Sequence, residues 1–246
     1  MSAVASALGQ RTRTVGVYLV AAAEVPDGDA WLGPRERAVL GALRFPKRRA
    51  DWRLGRFAAK RAAAEWLGRP SDPPAMAELE VLADHSGAPQ LHAGGMTPVA
   101  ISLSHRAGWA FAAVAPPDVA LGCDLELVEP RSEAFVADYL TPAERAFVAA
   151  GGPLDVACRT TLVWCAKECA LKALHEGLRL DTRSVELAGG SSAPERGWRP
   201  VAVRVAPSGM TFEGWWCRAD PSLLACVLGA PRLELPRSLA WRLAPK

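Results

Sequence analysis

The sequence carries almost no charge excess: 29 Lys and Arg against 26 Asp and Glu leave a formal net charge of +3. A chain so balanced is not a polycation built to coat nucleic acid. Long apolar runs are missing as well. No charge-free stretch approaches the ~20 residues a membrane-spanning helix needs, so no membrane partner is expected. The six cysteines, at 123, 158, 165, 169, 217 and 226, contain no matched pair of Cys-x-x-Cys elements, which disfavours a zinc site. They read as free thiols in a reducing, cytoplasmic compartment. Cys165 and Cys169 share a helical face by spacing and read as core residues. Only two tyrosines stand against nine tryptophans, an imbalance that carries no mechanistic reading. Residues 1–14 lack the basic-then-apolar order of a secretory signal and are expected to form a disordered tail. No exact internal repeat is visible.

What is present is globular. Half of the residues are hydrophobic and 22% are charged, and 246 residues suit one large domain or two halves of ordinary size. Residues 14–22 read as a first strand and residues 34–43 as a helix. A long basic helix then runs over 47–67, ended by Gly68-Arg69-Pro70 and the prolines that follow. A short strand at 79–82 and a turn around Ser86-Gly87-Ala88-Pro89 lead to strands at 99–103 and 110–115, which flank a Ser-His turn. Pro116-Pro117-Asp118 marks a junction. Beyond the next strand come helices over 131–139 and 142–149, the second with a capping signal in Thr141-Pro142-Ala143-Glu144. A long helix over about 154–175 precedes strand-like runs at 201–205, 214–218 and 223–228, with turns at 189–192 and 207–209. Each half runs strand, helix, then a cluster of strands. The order predicts an α+β fold with antiparallel sheets, divided into halves at 15–117 and 118–246.

Two segments carry chemistry. Leu121-Gly122-Cys123-Asp124-Leu125-Glu126 alternates apolar and acidic residues, so a strand there projects Asp124 and Glu126 from one face. Trp164-Cys165-Ala166-Lys167-Glu168-Cys169-Ala170-Leu171-Lys172-Ala173 reads as a helix whose i, i+4 spacing stacks Trp164, Glu168 and Lys172. Three carboxylates and a lysine converging from a strand and a helix suit a hard divalent cation such as Mg²⁺ bound to a phosphate. The bland alternatives are an acidic edge strand and a solvated Glu–Lys helix face.

The pair of segments resembles the two signature motifs of 4′-phosphopantetheinyl transferases of the larger, monomeric class, roughly Gly-x-Asp-x-Glu and Trp-x-x-Lys-Glu-x-x-x-Lys-Ala. Ser102-Leu103-Ser104-His105 looks like a third family element and falls upstream in the right order. The resemblance implies two similar α+β halves related by a pseudo-twofold, with coenzyme A in the cleft between them. It implies Mg²⁺ on Asp124, Glu126 and Glu168, with Glu168 or a metal-bound water as base and Lys172 on the diphosphate. Ser104, His105 and Lys167 would bind the coenzyme, together with Arg48 and Arg56 of the basic stretch from Arg44 to Arg61. The family often has Gly-Lys-Pro where this chain has Gly87-Ala88-Pro89, so one cation for the 3′-phosphate is missing. The expected partner is an apo acyl or peptidyl carrier protein with an acidic surface, met by Arg131, Arg145 and Arg159 and by apolar contacts including Phe135 and Tyr139. The runner-up is a non-catalytic protein that binds carrier proteins, or nucleic acid through the basic helix with Trp52 stacking on a base.

Overall fold

The computed structural model describes residues 13–94, 99–150, 154–176, 179–189, 197–206 and 208–240. The expected tail therefore falls almost wholly outside the described residues, as do Gly190–Ser192 and Pro207 of two expected turns.

Alternation in the strands sets up four layers. Strand β1 (Gly16–Ala21) turns Val17 and Leu19 one way and Tyr18 and Val20 the other. Strands β4 (Ala100–Arg106) and β5 (Trp109–Ala115) belong to the same sheet, with β5 between β1 and β4 in antiparallel register. A second antiparallel sheet contains β6 (Ala120–Leu127), β7 (Val185–Gly189), β8 (Arg199–Val205), β9 (Thr211–Asp220) and β10 (Leu223–Ala230), in the order β6-β10-β9-β8-β7. Val17, Leu19, Phe111 and Ala113 meet Cys123, Leu125, Ala225 and Val227, so the two sheets pack face to face. Each outer face carries one long helix. Helix α2 (Pro46–Trp66) covers Tyr18, Val20 and Ala112, and helix α6 (Val156–Ala173) covers Leu224, Cys226 and Leu228.

The remaining elements follow local signals. Helix α1 (Pro34–Ala42) starts on Pro34, and its Glu36 carboxylate accepts from the Gly33 N–H at 2.9 Å. Helix α4 (Glu133–Tyr139) is capped by Ser132, and α5 (Pro142–Ala149) has the expected Thr141–Glu144 capping box. A short helix α3 (Pro73–Ala77) begins within the proline-rich stretch that ends α2. Strands β2 (Glu80–Ala83) and β3 (Pro89–His92) form a ribbon across the Ser86–Pro89 turn. The last strand, β11 (Arg237–Ala240), pairs parallel with β1 and so joins the first sheet.

One local expectation is corrected. Ser104 and His105 lie within β4, not in a turn. The reversal comes at Ala107 and Gly108, both at positive φ (50° and 78°), which is the two-residue hairpin geometry that matches strand twist. Strand alternation then continues through Ser102, Ser104 and Arg106 to the site.

One plan recurs in the two halves, and the starts of α1 and α5 carry it in the sequence too. Trp31-Leu32-Gly33-Pro34-Arg35-Glu36-Arg37-Ala38 stands at the start of α1 as Tyr139-Leu140-Thr141-Pro142-Ala143-Glu144-Arg145-Ala146 stands at the start of α5. Glu36 caps α1, accepts from the Val81 N–H of β2 at 2.9 Å and receives Lys60 of α2. Glu144 caps α5, accepts from the Leu187 N–H of β7 at 2.9 Å and pairs with Lys167 of α6 at 2.8 Å. All four charged side chains are buried.

Candidate functional site

Strand β6 is held against α6 by a glycine. A Cβ on Gly122 would lie 1.8 Å from the Cys169 carbonyl oxygen, so no larger residue fits between strand and helix. That contact brings the acidic face of β6 against the turn of α6 that carries Glu168 and Lys172. Asp124 is buried, and its Oδ1 accepts from Ser104 Oγ at 2.8 Å and from Lys172 Nζ at 2.7 Å. Lys172 Nζ also donates to the Cys123 carbonyl at 3.1 Å. The other carboxylate oxygen, Asp124 Oδ2, is buried without a hydrogen-bond partner.

The electrostatics are those of carboxylates crowded together in partial burial. Desolvation, with Asp124 and Glu126 adding to it, raises the Glu168 carboxyl to about 7. Burial and Asp124 likewise hold Glu126 above the usual carboxylate range. Burial opposes the charge on Lys172, but Asp124 and its other neighbours together hold the ammonium above the usual lysine range. Glu126 is ringed by donors. Its Oε1 accepts from Trp164 Nε1 at 3.3 Å, its Oε2 from Arg131 Nη2 at 3.1 Å, and Arg106 approaches to 3.6 Å. Trp164 is fixed in turn by edge contacts to Phe135 and Tyr139, each at 5.1 Å. Among the described residues no group of three His, Cys, Asp or Glu is arranged as a ready-made metal cage. The donor set still suits a hard cation that keeps waters and phosphate oxygens in its shell. It consists of oxygens only and includes one buried oxygen with no partner.

Arg48, Trp52 and Arg56 follow one stripe of α2, and the Arg56 guanidinium lies 5.0 Å from the Trp52 ring centre. Burial lowers the Arg56 pKa from the usual arginine range, and its Nε is buried with no partner. An open cleft of about 440 Å³ is lined by Arg48, Trp52 and His105. A second, of about 260 Å³, takes Arg56 from α2, the Gly87–Pro89 turn, β4, Leu121, and Lys172 and His175 from the end of α6.

The structure thus gathers Asp124, Glu126, Glu168, Lys172 and Ser104 into one cluster, with Arg48, Arg56 and His105 on the adjoining clefts. Lys167 is not brought there. It points to the opposite side of α6, buried, and donates to the Thr182 and Val185 carbonyls at 2.9 and 2.6 Å besides pairing with Glu144. An i, i+1 neighbour of Glu168 cannot face the same way on a helix, and that spacing was the signal against it. Arg159 is also buried, donating to the Val148 and Leu154 carbonyls, so it offers no docking charge. Arg131 is occupied by Glu126 and Glu129, while Arg145 is exposed. The basic stretch is partly internal: Lys60 is buried, Arg49 donates to the Leu40 and Leu43 carbonyls, and Arg53 pairs with Asp29. Sequence reading missed Arg106 and His175. The strand alternation Ser102, Ser104, Arg106 was the available signal for the first.

A family model described as the 4′-phosphopantetheinyl transferase superfamily matches residues 120–197. These residues span β6 to β7 and contain Asp124, Glu126, Lys167, Glu168 and Lys172. Among solved structures, a holo-(acyl-carrier-protein) synthase from Bacillus anthracis str. Ames in complex with CoA (3′,5′-ADP) is 25% identical. The match covers 42% of this chain and 93% of that one, with a TM-score of 0.36. The Thermotoga maritima holo-[acyl-carrier-protein] synthase is 26% identical over 52% of this chain and 74% of that one, at a TM-score of 0.35. No curated protein matches the chain. No helix among the described residues is long and apolar enough to cross a membrane.

Proposed function

We propose that this chain moves the 4′-phosphopantetheine arm of coenzyme A onto a serine hydroxyl of an apo acyl or peptidyl carrier protein. The observation that carries the reading is the buried, partnerless Asp124 Oδ2 next to a Glu168 carboxyl at about 7, both inside the segment that matches the superfamily. Two carboxylates that close ask for a cation. Asp124 and Glu168 would hold Mg²⁺, and Glu126 would join once released from Trp164 and Arg131. Bound there, the metal would neutralise the diphosphate.

The chain's own groups cover the rest. Lys172, fixed by Asp124 and the Cys123 carbonyl, offers its remaining N–H to a phosphate oxygen as charge develops. Ser104 steadies Asp124 through its hydroxyl. Glu168 would take the serine proton as general base. The serine oxygen then attacks the phosphorus bearing pantetheine. The anhydride bond on its far side breaks, and adenosine 3′,5′-bisphosphate leaves. Arg48, Arg56 and His105 would hold the nucleotide in the clefts beside α2, between halves divided near residue 117. We further assign the chain as a cytoplasmic monomer.

Mass spectrometry tests the reading. An apo carrier protein incubated with coenzyme A, Mg²⁺ and this chain should gain about 340 Da, the phosphopantetheine group that phosphoryl transfer delivers. No gain with fatty-acid, polyketide and peptide-synthetase carriers alike would refute it.

A further inference from the structure

Helix α6 ends one turn beyond Lys172 in a residue that is costly where it stands. His175 has φ of 58°, in the left-handed region that glycine adopts freely and other residues rarely do. Its N–H donates to the Lys172 carbonyl at 3.0 Å and the following Glu176 N–H to the Leu171 carbonyl at 3.1 Å, so the backbone there is a regular helix-ending motif. Nothing in that motif calls for an imidazole. Glycine would satisfy the backbone without strain.

The side chain points where a ligand would be. His175 is exposed and lines the 260 Å³ cleft together with Lys172 and Arg56. Among the described residues no carboxylate lines this cleft, and the turn across from it supplies Ser86, Gly87, Ala88 and Pro89, none of them charged. Two of its three nitrogen-bearing side chains are uncommitted. Lys172 is engaged by Asp124, whereas Arg56 keeps a buried Nε without a partner. The imidazole of His175 makes no hydrogen bond or ion pair with the described residues. A cavity with donors at its polar end, apolar walls from Ile101, Leu103 and Leu121, and no acid suits a nucleotide phosphate.

We propose that His175 is a substrate-binding, specificity-determining residue that donates to the 3′-phosphate of coenzyme A alongside Arg56. This rests on the transferase reading above and deepens it. Strain at His175 is then retained because the imidazole gains a ligand contact, a pattern found where backbone strain meets function.

Two variants separate a ligand contact from a plain helix cap. His175→Gly relieves the strained φ, and His175→Asn keeps a residue that tolerates it but removes the imidazole. Calorimetric binding of coenzyme A and of 3′-dephospho-coenzyme A would be measured for the wild type and both variants, with the melting temperature of each. The wild type should prefer coenzyme A. Both variants should bind coenzyme A roughly tenfold more weakly, the loss expected of one charge-assisted hydrogen bond, and bind the dephospho form unchanged. His175→Gly should at the same time melt higher than the wild type. A higher melting temperature with the preference intact would make His175 a strained cap only and overturn the proposal. Equal losses for both ligands would overturn the phosphate assignment. A wild type that binds neither ligand overturns the transferase reading and this inference with it. A wild type that binds both equally overturns this inference alone.

Discussion

Asp124 and Glu168 show how burial turns two ordinary acids into a demand for positive charge. Lys172 answers half of it on Asp124 Oδ1, and Oδ2 is left without a partner. Replacing Asp124 by Asn keeps an acceptor for Ser104 and removes the charge. Transfer should fall by about 100-fold or more, the scale of a lost contact to transition-state charge, while cooperative thermal unfolding persists. Turnover near the wild-type value would refute the cation-holding role. Glu168 makes a second expectation through linkage. Its folded pKa of about 7 exceeds the ordinary 4.5, so between those values the folded protein holds a proton that the unfolded chain has released. Its ionisation therefore costs stability as pH rises through that window. Without Mg²⁺, the wild type should lose stability from pH 5 to pH 8 relative to Glu168→Gln, and Mg²⁺ at pH 8 should restore it. Chemical denaturation of both proteins across that range reads the difference directly; parallel curves would show that Glu168 is not crowded by its neighbours.

At the scale of elements, the site depends on how closely α6 rests on β6. Asp124 belongs to the strand, Glu168 and Lys172 to the helix, and the glycine between them sets their separation. Gly122→Ala puts a methyl group against the Cys169 carbonyl, a contact that backbone alone must relieve. The expected cost is roughly 1–3 kcal/mol from overpacking. The sharper expectation is functional: shifting the helix changes the Asp124–Lys172 distance, so transfer should fall further than stability explains. Melting temperature and single-turnover rate, measured together, check it. An inactive but well-folded variant fits; a variant as active and stable as the wild type does not.

For the molecule as a whole, two copies of one plan have been given different work. Lys60 and Lys167 occupy matching places, each buried on a long helix and paired with a capping glutamate. The next residue is Arg61 in the first half and Glu168 in the second, and four residues beyond stand Glu65 and Lys172, so the charges are reversed. On the adjoining strands, Gly16-Val17-Tyr18-Leu19-Val20 stands where the second half has Gly122-Cys123-Asp124-Leu125-Glu126. Arg61 lies over the Tyr18 ring at 5.4 Å, a contact that fills the place of the acidic cluster. On the transferase reading proposed above, the first half would present cations to the nucleotide and the second carboxylates to the metal. Lys60→Met and Lys167→Met should be alike in thermodynamics, each costing roughly 3–5 kcal/mol because a buried glutamate loses its partner. Denaturant titration would show this, and a cost near zero at either site would mean its glutamate is rescued by protonation or water.

Much was legible from residue order alone, for reasons that are local. The acidic alternation through Asp124 and Glu126, the stacking of Glu168 and Lys172, and the Thr141–Glu144 cap depend on spacing along one element, which dihedral geometry fixes. The long helices were visible from composition, the first with its stop at Gly68-Arg69-Pro70, while their starts at Pro46 and after Asp155 came from the structure. Depth within the molecule was not legible. Lys167 is adjacent to Glu168 in sequence, yet only the packing of α5 and β7 behind α6 decides that it is an interior ion pair. Ser104 became part of the site because β4 runs on to Arg106 and its edge meets β6, a long-range contact that no local pattern encodes. The duplication shows in the sequence only where Trp31–Ala38 matches Tyr139–Ala146, because on the long helices Arg61 and Glu65 reverse the charges of Glu168 and Lys172. Sequence identity is lost there, while the buried Lys–Glu pair that packing requires is retained in both halves.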